Sequence, residues 1–273
     1  MDKSRLEELK KIALQARKTI LKMAVGPGCF AGSSLSLVDI TTYLYNGYLN
    51  ISKDNLDDEN RDFVFLSKGH TVPALYSVFV ENGILDKSRI DNHWDPKDDI
   101  YLHPNKNVPG IEFHSGSLGH GLGLAVGVAL DSKIRKNGSK AVVIIGDGEL
   151  NEGSNWESLL VAMTYKLDNL IIIIDRNKIQ ANKKTEDLVP LEPVEEKFKA
   201  FGCAVERGNG HDFEWLDETF SKIPFETGKP NVIIADTLRG KGVPSIQERV
   251  DRWYCSFNED EYKELIKELE NNA

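Results

Sequence analysis

The reading of the fold turns on AVVIIGDGELNEGSNWESLLVAMTYKLDNLIIIIDRNKIQ, Ala141 to Gln180. One apolar run, VVIIG, breaks at Gly146-Asp147-Gly148, and a second, LIIIID, breaks at Asp175-Arg176-Asn177. Near-continuous apolar runs are expected of central parallel strands covered on both faces; half-exposed strands alternate instead. A helix at about 152–165 joins the two. Strands connected by such a crossover end on the same edge of the sheet. Asp147 and Asn177, 30 residues apart, are therefore expected side by side on the edge where open α/β sheets bind ligands.

One carboxylate and one amide are hard oxygen donors of the kind Mg²⁺ takes, its other positions being filled by waters and phosphate oxygens. Gly146 and Gly148 let a diphosphate approach the backbone, and the helix start beyond them adds N–H donors. The pair suggests a metal-bridged diphosphate. A GDG after a strand is also a common turn or helix cap; the amide behind its own strand is what gives the pattern weight. Competing patterns are absent. No GxGxxG follows an expected strand, and there is no GxxxxGK[ST] and no HExxH.

Outward from this stretch, the pattern predicts an amphipathic N-terminal helix through Leu6, Leu9, Ile12, Ala13, Ala16 and Ile20, then the glycine loop VGPGCFAGSS. It further predicts a helix over about Ser36 to Tyr48, a short strand in RDFVFLS and a helix that stops at Gly83. Residues 86–115 read as a long ordered loop, and GSLGHGLGLAVGVAL as a glycine loop running into a helix. CAVERGNGHD and NVIIADTLRGKG read as two further strands with polar exits. Asn258-Glu-Asp-Glu261 reads as a capping box before a last helix. The fold class is α/β: a doubly wound, mainly parallel sheet with helices on both faces, in one domain over 1–273.

The chain has 273 residues and a net charge of −9 with both signs mixed, which argues against a nucleic-acid-binding face. No run approaches 18 apolar residues, so no membrane span is expected. Three scattered cysteines without CxxC spacing and a charged N-terminus suggest a reduced, cytoplasmic protein.

GDGELNEG…LDNLIIIIDRNKIQ resembles the thiamine-diphosphate signature of the transketolase family. Ser67-Lys-Gly-His70, Leu102-His103-Pro104, Gly116-Ser-Leu-Gly119 and Gly208-Asn-Gly-His-Asp212 fall in that family's order, so the resemblance covers nearly the whole chain. It implies thiamine diphosphate and Mg²⁺ (with Ca²⁺ or Mn²⁺ able to substitute) as cofactors. It implies Asp147, Asn177 and the Ile179 carbonyl as metal ligands, with Gly146, Gly148 and Glu149 beside the diphosphate. His70 would lie near the diphosphate and the reacting carbon. Gly116, Ser117 and Leu118 would line the thiazolium, His103 would bind donor hydroxyls, and Glu152 would link paired sites across a dimer. The implied activity is transfer of a two-carbon ketol unit between sugar-type substrates. A non-catalytic, cofactor- or partner-binding regulatory paralogue is the alternative. The family's pyrimidine-binding domain and its activating glutamate are missing, which implies a partner: a C-terminal transketolase-like subunit, with two copies of each chain in a heterotetramer.

The sequence departs from the family pattern at two places. Phe30 stands where the glycine loop usually has histidine, and Tyr254 where Trp-His-Gly is usual. Phenylalanine transfers no proton, and tyrosine, with a pKa near 10, is a poor base at neutral pH. His114 and His120 stand where Ser/Thr and Gln are common; His114 is a candidate to face the thiazolium and compensate. These departures suggest a donor or acceptor other than ordinary pentose phosphates, such as a modified or nucleotide-linked sugar.

Overall fold

The structure, a computed structural model, describes residues 1–272. Five parallel strands form the sheet: β1 (Phe63–Leu66), β2 (Ala141–Gly146), β3 (Leu170–Arg176), β6 (Ala204–Asn209) and β7 (Asn231–Asp236). Their spatial order is β1-β2-β3-β7-β6. All five expected strands are present. Ile179–Gln180 (β4) and Lys183–Lys184 (β5) make a small antiparallel hairpin outside the sheet.

The apolar runs build two cores, one on each face. Val142, Ile144, Ile171, Ile173 and Ile233 point to one side, where they meet the N-terminal helices. Val143, Ile145, Ile172, Ile174 and Ile234 point to the other, against Leu122, Leu159 and Phe198. This two-sided burial explains why the strands show no alternation. Each fully buried Ile or Val contributes about 1.5–3 kcal/mol of transfer free energy, so the central strands hold the sheet.

The first face carries α1 (Lys3–Met23), α2 (Ala31–Leu35), α3 (Val38–Tyr43), α4 (Val72–Glu81), α9 (Phe213–Ser221) and α10 (Glu259–Asn271). The second carries α5 (Gly121–Arg135), α6 (Gly153–Thr164) and α8 (Val194–Ala200); α7 (Thr185–Leu188) is a single turn after the hairpin. The capping box before α10 is formed: the Asn258 side chain accepts from the Asp260 and Glu261 N–H groups, and Glu261 accepts from the Asn258 N–H. The helix expected over about 36–48 is present as α3 running into a π-helical turn over Leu44–Tyr48. What the pattern does not predict is α2, one short helix inside the first glycine loop. Between α2 and α3 the Ser36 hydroxyl donates to buried Asp175 at 2.7 Å and so ties the chain to the end of β3.

The loop over 86–115 contains one short 3₁₀ turn, Lys87–Asn92, and is otherwise irregular. It is fastened to the first glycine loop: the Trp94 Nε1–H donates to the Gly28 carbonyl at 2.9 Å, and His93 Nε2 lies 3.2 Å from the same oxygen. That glycine loop is also bridged to the chain near the C-terminus, through Val25 with Phe257 and Cys29 with Cys255. These two fastenings bring Phe30 and the Trp253-Tyr254 pair together. Cys29, Cys203 and Cys255 are free and buried.

Candidate functional site

At the C-terminal edge of β2 and β3 lies a crevice of about 210 Å³. Strand register pairs Gly146 with Asp175, so Asp147 and Asn177 leave neighbouring strands together. Asp147, Asn177 and Ile179 all line the crevice, with Gly146, Gly148, Glu149, His70 and Leu118. Lys68, Arg239 and Trp253 complete much of its wall.

Charge is arranged in layers. The buried Asp147 carboxylate accepts from the Gly148 N–H (2.7 Å), the Lys178 N–H (2.7 Å) and Arg176 Nη1 (2.8 Å). Burial nevertheless leaves its pKa raised against Arg176. Asp175, one layer deeper, accepts from Lys68, Ser36, Thr237 and Asn177. Burial works to raise Asp175, and the Lys68 ammonium overcomes it, holding the carboxyl below its usual range. The Asn177 amide is thereby oriented, its nitrogen donating to Asp175 (3.0 Å) and its oxygen accepting from the Ile179 N–H (3.1 Å).

Glu149 acts as a brace. Its buried carboxylate accepts from the Ser67 hydroxyl, the Gly119 N–H (2.8 Å) and the Gly146 N–H (3.1 Å). It thus joins the end of β1, the start of the α5 loop and the end of β2. Burial raises its pKa.

Arg239 has no carboxylate partner among the described residues. It is 2 % exposed; Nη1 donates to the Ala181 carbonyl (2.6 Å) and Nη2 to the Ile179 carbonyl (3.1 Å). Its buried Nε has no hydrogen-bond partner among the described residues. Burial lowers its pKa to about 10, so it remains a cation at neutral pH. An unpaired, desolvated guanidinium beside glycine backbone is a receptor for an anion.

Above the crevice, aromatic rings gather around Phe30. Its ring centroid lies 5.4 Å from that of His70, 6.3 Å from His103, 4.9 Å from Trp253 and 5.1 Å from Tyr254. Burial drives the His70 pKa well below its ordinary value, with Lys68 adding to the effect. His70 is therefore a neutral imidazole. Burial also lowers half-buried His103, whose ring packs on Gly116: a Cβ there would stand 3.1 Å from it. The Tyr254 hydroxyl donates to the Pro27 carbonyl at 2.6 Å and is committed to the loop.

The remaining candidates lie further out. Gly116 and Ser117 are exposed on the loop leading to Leu118. Glu152 precedes α6 with an exposed side chain that does not cap the helix. His114 is exposed and is not among the crevice-lining residues. Sequence reasoning missed Arg239, Trp253 and the Lys68–Asp175 pair. A signal was present for the first: an arginine in TLRGKG, at the exit of a buried parallel strand, stands on the ligand-binding edge.

A doubly wound parallel sheet with paired oxygen donors, an unpaired cation and glycine backbone at its C-terminal edge defines a cofactor-diphosphate-binding α/β protein. Residues 10–272 match the family described as transketolase, thiamine diphosphate binding domain. The chain belongs to the transketolase family, as a transferase subunit carrying that domain. It is 38% identical to one subunit of the apulose-4-phosphate transketolase of Actinobacillus succinogenes, over 97% of both chains. It is 33% identical to the 6-deoxy-6-sulfo-D-fructose transketolase subunit SqwG of a Clostridium species, over 92% of this chain and 91% of that one. Among solved structures it resembles transketolase from Campylobacter jejuni, with 28% identity and a TM-score of 0.86. There it covers 99% of its own length and 43% of the longer chain, so it spans about two fifths of that single-chain enzyme.

Proposed function

We propose that this chain is the cofactor-binding half of a two-chain transketolase acting on a modified sugar. The observation that carries the reading is the convergence of Asp147, Asn177, the Ile179 carbonyl and unpaired Arg239 on one crevice. The donor set fits the cofactor pair. Three hard oxygens suit Mg²⁺, and Arg239 with the Gly148 backbone suits a diphosphate. Asp147, Asn177 and Ile179 would hold the metal, with Ile179 shared with or released by Arg239. Thiamine diphosphate, when bound, supplies carbanion stabilisation. The chain's own residues bind, orient and exclude water. Leu118 would pack against the cofactor's rings, neutral His70 would be placed to accept or donate a proton beside them, and His103 would bind donor hydroxyls.

A partner completes this site. Glu149, the glutamate in the crevice wall, is spent on three internal hydrogen bonds; the family resemblance implies that the activating carboxylate comes from a C-terminal, pyrimidine-binding subunit. Leu160, Val161 and Tyr165 at the end of α6 stand 60%, 43% and 52% exposed, and Phe113 and Leu118 lie exposed on the loop before α5. An apolar surface of this kind suits burial by other chains, and Glu152 lies at the start of the same helix. Two copies of each chain fit that demand. The relatives named as subunits support a split enzyme. No helix among the described residues is long and apolar enough to cross a membrane; a cytoplasmic location fits the three free thiols.

For the substrate, the two relatives' names give apulose 4-phosphate and 6-deoxy-6-sulfo-D-fructose, and the Phe30–Trp253–Tyr254 wall agrees with a ligand that presents a less polar or bulkier face there than xylulose 5-phosphate or ribose 5-phosphate. The test is co-purification with a chain bearing the pyrimidine-domain pattern, then a donor screen with thiamine diphosphate and Mg²⁺. Ketol transfer from a modified sugar by the complex, with none by either chain alone, is the expected result. Full activity of this chain alone would overturn it.

A further inference from the structure

Behind the segment that carries Arg239 lies a second buried cluster, outside the crevice. It comprises Arg17 of α1, Asp39 of α3 and His211 from the loop after β6. Arg17 Nη2 donates to Asp39 Oδ2 at 2.6 Å, and His211 Nδ1 lies 2.7 Å from the same oxygen. On the other side of the ring, His211 Nε2 accepts from the Leu238 N–H at 2.8 Å. A nitrogen that accepts carries no proton, so the ring's proton sits on Nδ1 and is donated to Asp39. Arg17 uses Nε to donate to the Lys241 carbonyl at 3.2 Å. The cluster therefore grips the chain one residue before Arg239 and two residues after it. Between these grips the Gly240 N–H donates to the Gly32 carbonyl at 2.8 Å.

Three elements far apart in sequence thus commit buried polar groups to one short segment, 238–241, whose Arg239 lines the crevice. We propose that Arg17, Asp39 and His211 are positioning residues for Arg239, acting on the cofactor diphosphate through the Leu238 N–H and the Lys241 carbonyl without touching it. The proposal rests on the reading of the crevice as a diphosphate site. Its physical basis is precision: Arg239 is held at its tip by the Ile179 and Ala181 carbonyls, and a charge-assisted contact to an oxyanion is sensitive to sub-ångström placement of its stem. Asp39 is the hub, since removing it strips His211 of its orienting acceptor and Arg17 of its counter-charge together.

Calorimetry of the full chain with inorganic pyrophosphate and Mg²⁺ tests this in four proteins: the parent, His211→Gln, Arg239→Gln and the double variant. Groups acting through one another are non-additive. His211→Gln is expected to weaken binding about three- to tenfold in the parent background and less than about twofold once Arg239 is already replaced. A group that merely stabilises the fold would lower the unfolding temperature and leave the pyrophosphate affinity unchanged. Asp39→Asn is the second variant should His211→Gln not fold, with the same pattern expected. Equal losses in both backgrounds, or unchanged affinity in the single variants, would overturn the proposal while leaving the diphosphate site standing. Failure of the parent to bind magnesium pyrophosphate would instead overturn the cofactor reading, and this proposal with it.

Discussion

At the scale of single residues, the site is a set of buried cations matched by carboxylates in all but one case. Lys68 is answered by Asp175 and Arg176 by Asp147; among the described residues Arg239 is answered only by carbonyls. Charge-assisted hydrogen bonds contribute about 1.5–3 kcal/mol. Arg239→Gln is therefore expected to weaken thiamine diphosphate binding by about ten- to a hundredfold, with binding of unphosphorylated thiamine unchanged; equal loss of both in a titration would deny Arg239 its anion role. The aromatic wall makes a second residue-scale prediction. Phe30 sits among His70, His103, Trp253 and Tyr254, and its side chain offers no hydrogen bond. A positioned acid or base is worth about 10²–10⁴-fold, so the assembled enzyme is expected to be slow with xylulose 5-phosphate and ribose 5-phosphate. Steady-state kinetics decide this, and ordinary transketolase rates with pentose phosphates would return the wall to a passive role.

At the scale of elements, the crevice depends on how tightly α5 abuts β1. A Cβ on Gly121, the first residue of α5, would stand 2.5 Å from the Ser67 side chain and 2.9 Å from its Cα. Backbone cannot yield as a flexible side chain can, so Gly121→Ala is expected to cost about 1–3 kcal/mol. It also disturbs the Ser67–Glu149 bond that joins β1 to β2. A denaturant midpoint unchanged in this variant would show the contact to be soft. The element clamp around Asp39 carries a pH dependence. Burial works to raise the Asp39 carboxyl, but Arg17 and His211 hold it at about 2, against about 3.9 in an unfolded chain. A depressed carboxyl contributes stability above the unfolded value and loses it as pH falls through the folded one. Stability is expected to drop between about pH 4 and pH 2, and Asp39→Asn to flatten that part of the curve; an identical acid limb in the variant would place the loss elsewhere.

At the scale of the whole molecule, the sheet was legible because its strands are buried on both faces and therefore written as apolar runs. The same burial that makes Ile171–Ile174 conspicuous sets Asp147 and Asn177 on one edge, so their meeting in one crevice followed from strand ends alone. The short α2 inside the glycine loop was not legible, because a single helical turn leaves no periodicity and its end is held from across the fold, where the Ser36 hydroxyl donates to Asp175. Arg239 escaped for a similar reason: an arginine after a strand is ordinary until tertiary contacts leave it unpaired. Trp253 and Phe30 meet through loops joined by isolated bridges, and no periodicity records such pairings. The central claim, a metal-dependent diphosphate site built on two strand ends, is tested most directly by titrating thiamine diphosphate into the complex of this chain and its partner, with and without Mg²⁺, for the parent and for Asp147→Ala. The account predicts binding by the parent only with Mg²⁺ and its loss in a variant that remains folded. Thiamine diphosphate affinity that is the same in both proteins would contradict it.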